Sequence, residues 1–148
     1  MRTVDVGSRL PQMSPADNEK ELAPRAILIV DDEPSIGFLL TEMLQSTGHP
    51  ILTAGSVSEA LTHLKSRPIA VLIVDVQLAG TDGIAFLQQA LEVDSRLLSI
   101  VMTGHGNIEL AVRAMKSGAA DFLTKPFEVE LVRQSVSRLL ELYRLRQE

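Results

Sequence analysis

The 148 residues predict an α/β fold, a doubly wound five-stranded parallel sheet with helices on both faces. Three observations carry that expectation. From Ala26 onward, short apolar runs alternate with stretches of helical periodicity, the pattern of a parallel sheet covered on both sides. Aromatic residues make up only 3% with no Trp, so the core has to come from Leu, Ile, Val, Ala and Met, which suits helices layered on such a sheet. With 45% hydrophobic and 22% charged positions, a chain of this length closes one core of ordinary size, and one compact domain is expected.

Met1 to Pro24 hold Asp, Glu, Ser, Asn and three prolines without the apolar stretch of a secretory signal, and are read as a flexible leader (1-24). The first strand is expected at Ala26 to Val30. A helix then opens near Pro34, carries Ile36, Leu40, Met43 and Leu44 on one face, and stops at Gly48. The second strand is Pro50 to Thr53. Ser56 with Glu59 makes a capping-box signature ahead of Val57, Ala60, Leu61 and Leu64, and Arg67-Pro68 ends that helix.

The third strand is Ala70 to Val74, and Ile84, Leu87 and Leu91 mark the helix after it. Leu97 to Met102 is the fourth strand, followed by a helix marked by Ile108, Ala111, Val112 and Met115 that ends at Gly118. Ala120 to Leu123 is the fifth strand. After Pro126 the stripe Val129, Val132, Val136, Leu139 and Tyr143 predicts a helix longer than one sheet face requires, and Leu131, Leu142 and Leu145 suggest a contact beyond the domain.

Charge and composition exclude several classes. Fourteen basic against 19 acidic residues give a net charge of −5 with no dense Lys/Arg stripe, so direct nucleic acid contact by this chain is not expected. The absence of Cys rules out disulfides and thiolate metal sites and fits a reducing, cytoplasmic compartment. The longest apolar runs are strand-length, far below the roughly 20 residues of a membrane-spanning helix, so a soluble protein is expected.

Four strands end in polar residues: Asp31 and Asp32 after the first, Asp75 after the third, Thr103 after the fourth and Lys125 after the fifth. In an open parallel sheet those ends share one crevice. Each residue alone has an ordinary reading, since Asp and Thr cap helices and form turns and a loop Lys is usually solvated. Together they place three carboxylates, a hydroxyl and an ammonium on the same rim. Clustered carboxylates need a proton or a cation, and magnesium is the natural one for hard oxygen ligands. One carboxylate then remains to attack phosphorus, with Lys125 and Thr103 holding phosphoryl oxygens.

Four short motifs in order carry a family resemblance: Val-Asp-Asp-Glu-Pro from Val30, Val-Asp-Val-Gln-Leu and then Gly-Thr-Asp-Gly around Asp75, Met-Thr-Gly-His-Gly from Met102, and Phe-Leu-Thr-Lys-Pro-Phe from Phe122. From Ala26 to about Tyr143 the chain resembles the receiver domain of bacterial response regulators, with phrasing similar to the NtrC and FixJ types. The resemblance implies a flavodoxin-like strand order 2-1-3-4-5 and a receiver unit at 25-144, with 145-148 as a possible link to an output domain. It implies that Asp75 is the phosphoacceptor for a histidine kinase or phosphotransfer protein. Asp31, Asp32, Asp75 and the backbone carbonyl of Gln77 would bind Mg2+ (or Mn2+). Thr103 and Lys125 would bind the phosphoryl group, Gly104 would leave its approach open, and Lys125-Pro126 would be cis. Phe122 would turn inward as Thr103 moves and alter the face of the fourth helix, fifth strand and fifth helix, through which two copies could pair; the alternative is that Phe122 fills the core.

Where the family usually has Met-Pro, this chain has Leu78-Ala79, which removes a fixed backbone angle beside the acceptor but no catalytic group. His49, His63 and His105 are too scattered for a metal site, and His105 is read as a surface neighbour of the phosphorylation loop. A phosphohydrolase could use the same carboxylates and metal, but the chain looks short for a substrate cap. A flavin-binding module would share the strand order, but two aspartates after the first strand would repel its phosphate. A binding-only receiver would not need all five polar positions filled.

Overall fold

Five strands pair in parallel in the order β2-β1-β3-β4-β5 in the computed structural model, which describes residues 25–78, 80–104 and 107–147. They are β1 (Ala26–Val30), β2 (Ile51–Ala54), β3 (Ile69–Asp75), β4 (Leu98–Thr103) and β5 (Asp121–Thr124). The helices between and after them are α1 (Pro34–Leu44), α2 (Val57–Ser66), α3 (Gly83–Val93), α4 (Ile108–Lys116) and α5 (Val129–Gln147). The fold class and strand order are those expected. One boundary shift matters for function: Asp75 and Thr103 are the last residues of β3 and β4, and so share the rigidity of the sheet. The leader, Ala79, His105 with Gly106, and Glu148 lie outside the described residues.

A parallel strand inside a doubly covered sheet has no solvent face, and β1 and β3 are buried at every position. Their side chains divide between two cores. Leu28, Val30, Leu72, Val74 and Val101 pack with Leu64 of α2, Phe86 and Leu87 of α3 and Ala114 of α4. Ile27, Ile29, Ile73, Ile100 and Met102 pack with Leu40 and Leu44 of α1 and Val132, Val136 and Leu139 of α5. Each such side chain removed from water stabilises the fold by about 1.5–3 kcal/mol, so the sheet is a firm platform for whatever its strand ends carry.

Local chemistry sets the helix ends. Pro34 opens α1, whose last turn tightens into a 3-10 segment, Gln45–Thr47, before Gly48 takes the left-handed φ of 78° that ends it. At α2 the Ser56 hydroxyl accepts from the Glu59 N–H at 3.2 Å, and Glu59 Oε1 reaches back to the Gly55 N–H at 2.8 Å. Asp82 caps α3 by accepting from the Ile84 N–H at 2.9 Å, a cap the sequence reading had not assigned.

The last two helices depart from a simple reading of their stripes. In α4, Ala111 and Ala114 are buried while Ile108 (71% exposed), Val112 and Met115 face solvent. Small residues let α4 pack on β4 and β5, with Leu110 partly covered and Ile108, Val112 and Met115 left outside. In α5, Val132, Val136, Leu139 and Tyr143 are buried as the stripe requires, whereas Val129, Leu131 and Leu145 are exposed.

Candidate functional site

Asp31 follows β1 directly, where the chain must turn out of the sheet to start α1, and its Oδ1 accepts from the Glu33 N–H at 2.8 Å. Asp75, at the end of β3, repeats the device: its Oδ1 accepts from the Gln77 N–H at 2.8 Å. Both carboxylates are thus aimed by the backbone two residues on, with the second oxygen of each pointing to the same place. Lys125, just past β5, fills that place, its Nζ donating to Asp31 Oδ2 at 2.9 Å and Asp75 Oδ2 at 2.8 Å. Glu33 Oε1 stands further off at 3.8 Å. The Lys125 N–H donates to the Thr103 carbonyl at 2.9 Å, so the ends of β4 and β5 are tied together. The Lys125-Pro126 peptide is cis.

The oxygens of Asp31, Asp32 and Asp75 come within 4.8 Å of one another, and among the described residues these three form a group with metal-ligand spacing. Asp31 and Asp75 are buried, and Asp32 is exposed. Burial pushes the Asp31 carboxyl above the usual aspartate value; the Glu33 N–H and Lys125 pull the other way, and the Asp75 charge adds to the rise. For Lys125, burial pulls the ammonium down, but hydrogen bonds and charges from Asp75 and Asp31 outweigh it and hold the group above its ordinary value. An ammonium held this way is a firm counter-ion for two carboxylates. An all-oxygen, carboxylate-rich donor set also fits a hard divalent cation.

Asp31 and Asp75 do shape turns, but the helix-cap and solvated-lysine readings fail. The residue before α1 is Glu33 and that before α4 is Asn107, so neither Asp31, Asp32 nor Thr103 is a helix cap. Thr103 is buried at a strand end, and Lys125 is paired rather than solvated. Gly104 faces Gln77 across the mouth, where an added Cβ would come to 3.7 Å from Gln77 Oε1. His49 serves the fold on the opposite edge, its Nδ1 2.7 Å from the Arg25 carbonyl. His63 lies in the last turn of α2, and His105 and Ala79 fall outside the described residues.

Residues 27–137 match the response regulator receiver domain family. The chain belongs to that family. This receiver domain is 38% identical over 124 residues to the C4-dicarboxylate transport transcriptional regulatory protein DctD of Pseudomonas aeruginosa, covering 83% of the chain and 27% of that protein. It is 38% identical over 124 residues to the nitrogen assimilation regulatory protein NtrX of Azorhizobium caulinodans, covering 82% and 27%. Among solved structures, the receiver domain of NtrX from Brucella abortus superposes with a TM-score of 0.74 at 37% identity, covering 78% of this chain and 98% of that one. A CheY-like receiver from Methanospirillum hungatei, at 22% identity and a TM-score of 0.77, shares the fold. The chain thus spans about a quarter of the length of these curated relatives, and it is a receiver domain of the two-component type.

In this receiver domain Phe122 lies opposite Val101 and Thr124 opposite Thr103 in the β4–β5 register. Alternation of side chains along a strand therefore puts Phe122 on the same sheet face as Thr103, the face that α4 covers. At 42% exposed, Phe122 does not fill the core. Sequence reasoning missed Asp82, Gly83 and the exposed Phe38 and Leu39 of α1. The Asp-Gly pair opening a helix was a legible sign for the first two, whereas exposure of an apolar helix residue has no local sign.

Proposed function

We propose that this receiver domain accepts a phosphoryl group on Asp75 from a phosphohistidine of a histidine kinase or phosphotransfer protein, and signals through the surface of α4, β5 and α5. The reading rests on one observation: Asp31 and Asp75, at two strand ends, converge on the ammonium of Lys125 at a third, and the Lys125 backbone is tied to Thr103 at the end of a fourth. An Asp75 oxygen bonds to phosphorus as the bond from phosphorus to the donor imidazole nitrogen breaks; that nitrogen keeps the electron pair and takes a proton from solvent. Mg2+ or Mn2+, held by Asp31, Asp32, Asp75 and the Gln77 carbonyl, would neutralise charge on the phosphoryl oxygens. Lys125 exchanges a carboxylate partner for a phosphoryl oxygen, and the Thr103 hydroxyl donates to another.

The domain promotes only its own phosphorylation and dephosphorylation, and turns over no other substrate. A protein donor approaches across α1, where Phe38 and Leu39 offer apolar surface beside a cleft of about 410 Å³ that includes Asp31 and Asp32. Exposed Ile108, Val112, Met115 and Phe122 give a second copy, or an output partner, its apolar contact on the signalling side. No helix among the described residues is long and apolar enough to cross a membrane, and we place the domain in the cytoplasm with its kinase. Residues 25–144 form the receiver unit, and the end of α5 leads toward an output domain.

The test is incubation with a divalent metal and acetyl phosphate, beside Asp75→Asn, read by intact mass. One acid-stable, base-labile phosphoryl group on the unmutated chain alone is the expected result. No addition where a control receiver is phosphorylated would overturn the reading.

A further inference from the structure

The carboxylate of Asp75 is only as well aimed as the loop behind it. That loop is held from two sides: the Val76 N–H donates to the Met102 carbonyl of β4 at 3.1 Å, and the Gly83 N–H at the start of α3 donates to the Val76 carbonyl at 3.1 Å. Gln77, the next residue, gives the N–H that holds Asp75 Oδ1. Gly83 is where α3 bears directly on this assembly. A Cβ added there would stand 2.5 Å from the Asp75 carbonyl oxygen, 2.5 Å from Val76 Cα and 2.8 Å from the Val76 carbonyl carbon.

These neighbours are backbone atoms, so no side-chain tip can swing aside to make room. Among the described residues the positive-φ glycines are Gly48, Gly80 and Gly118, so Gly83 is required for space and not for backbone freedom. We infer that Gly83 is a positioning residue for the acceptor, its bare Cα setting the height of the Val76-Gln77 segment and through it the orientation of Asp75. This rests on the phosphoacceptor reading and adds a residue that touches none of the reacting atoms.

The direction of yielding follows from what is anchored. Helix α3 is fixed by buried Ile84, Phe86 and Leu87 and by the Asp82 cap, so the loop gives way first. Relaxing a 2.5 Å contact to an ordinary 3.4 Å shifts the backbone by about 0.9 Å. Such a shift moves both the Gln77 N–H and the Gln77 carbonyl. Disturbing groups that orient metal ligands typically weakens metal binding about 10- to 100-fold.

The experiment compares the unmutated chain, Gly83→Ala, and Leu87→Ala, a control that loosens the packing of α3 on the core. Mn2+ affinity is measured by calorimetry, phosphorylation by acetyl phosphate by intact mass, and stability by thermal unfolding in EDTA. Gly83→Ala is expected to lose about 10- to 100-fold in Mn2+ affinity and to phosphorylate more slowly. Leu87→Ala is expected to unfold earlier with its Mn2+ affinity unchanged. Equal loss in both variants, or unchanged affinity in folded Gly83→Ala, overturns the inference. A second readout needs no variant: Mg2+ titration of the unmutated chain should shift the backbone amide resonance of Gly83, and a stationary Gly83 signal while Gln77 moves overturns the inference even if Gly83→Ala fails to fold. An unmutated chain that neither binds Mn2+ nor takes a phosphoryl group refutes the phosphoacceptor reading instead.

Discussion

Replacing Lys125 with Met keeps the stem that packs beside the site and removes the charge that stands 2.9 Å from Asp31 and 2.8 Å from Asp75. Two buried carboxylates then face each other unscreened. Their nearest oxygens lie within 4.8 Å, and two unit charges at that separation repel by roughly 3.5 kcal/mol at an effective dielectric of about 20. Lys125 is 22% exposed, so water enters the gap it leaves, and partial protonation of Asp31 relieves more of the repulsion. A net loss of about 2 kcal/mol is the expected result, below the about 3–5 kcal/mol seen when one partner of a fully buried pair is removed. In a domain of this size that lowers Tm by about 8 °C.

Metal makes the prediction specific. A divalent cation supplies the missing positive charge, so saturating Mg2+ should return most of the lost stability. Linkage then requires Lys125→Met to bind Mg2+ more tightly than the unmutated chain, by up to roughly 30-fold if the full 2 kcal/mol is recovered. Thermal unfolding in EDTA and across a Mg2+ series reads both quantities. A Tm unchanged in EDTA, or a drop that Mg2+ leaves in place, would refute the claim that the ammonium and the metal neutralise the same carboxylates.

Asp31→Asn tests the same electrostatics from the other side. The folded carboxyl binds its proton above the unfolded value of 3.8, so ionised Asp31 costs stability at neutral pH, and that cost fades as pH falls through the raised value toward 3.8. The Asn variant should therefore melt higher than the unmutated chain in EDTA at pH 7, with the gap closing in acid; a lower Tm at pH 7 would contradict it. The Lys125 pairing behaves oppositely at the alkaline end, being fully present below 10.5 and lost as pH rises through its raised value. Ser56→Ala removes the α2 cap and should cost about 1 kcal/mol in urea unfolding, the same with and without Mg2+. If a protein donor docks across α1 as proposed, Phe38→Ala should slow phosphotransfer from it at least about tenfold while leaving acetyl phosphate unaffected.

The fold was legible because its central strands are constrained on both faces. A segment such as Ala70 to Val74 carries no polar position, the pattern favoured where a strand is buried on both faces. The site was legible because polar residues follow those strands at once, and parallel topology brings strand ends together whatever lies between them. The sequence did not reveal that Lys125 bridges Asp31 and Asp75, since that depends on the height at which the β5–α5 loop crosses the sheet edge.

Helix α4 is where the sequence pattern and the packing part company. The periodicity of α4 shows an amphipathic helix, but two stripes compete there: Ala111 with Ala114, and Ile108 with Val112 and Met115. Transfer free energy favours burying the larger stripe, yet the structure buries the smaller, because alanines permit the close approach of α4 to β4 and β5. Local hydrophobicity therefore does not show which of two competing stripes a helix turns inward. Phe122 of β5 is likewise exposed, against the alternative that it fills the core. β5 is secured at both ends, through the Lys125 N–H to Thr103 and through Asp121, which accepts from Ser135 and Arg138 of α5 at 2.6 Å each. On the proposed function, a displacement of Thr103 at the end of β4 would be passed through these ties to β5 and α5. The apolar surface that the core leaves unused thus sits on the elements that, on the proposed function, a change at Asp75 would reach through Thr103 and Lys125.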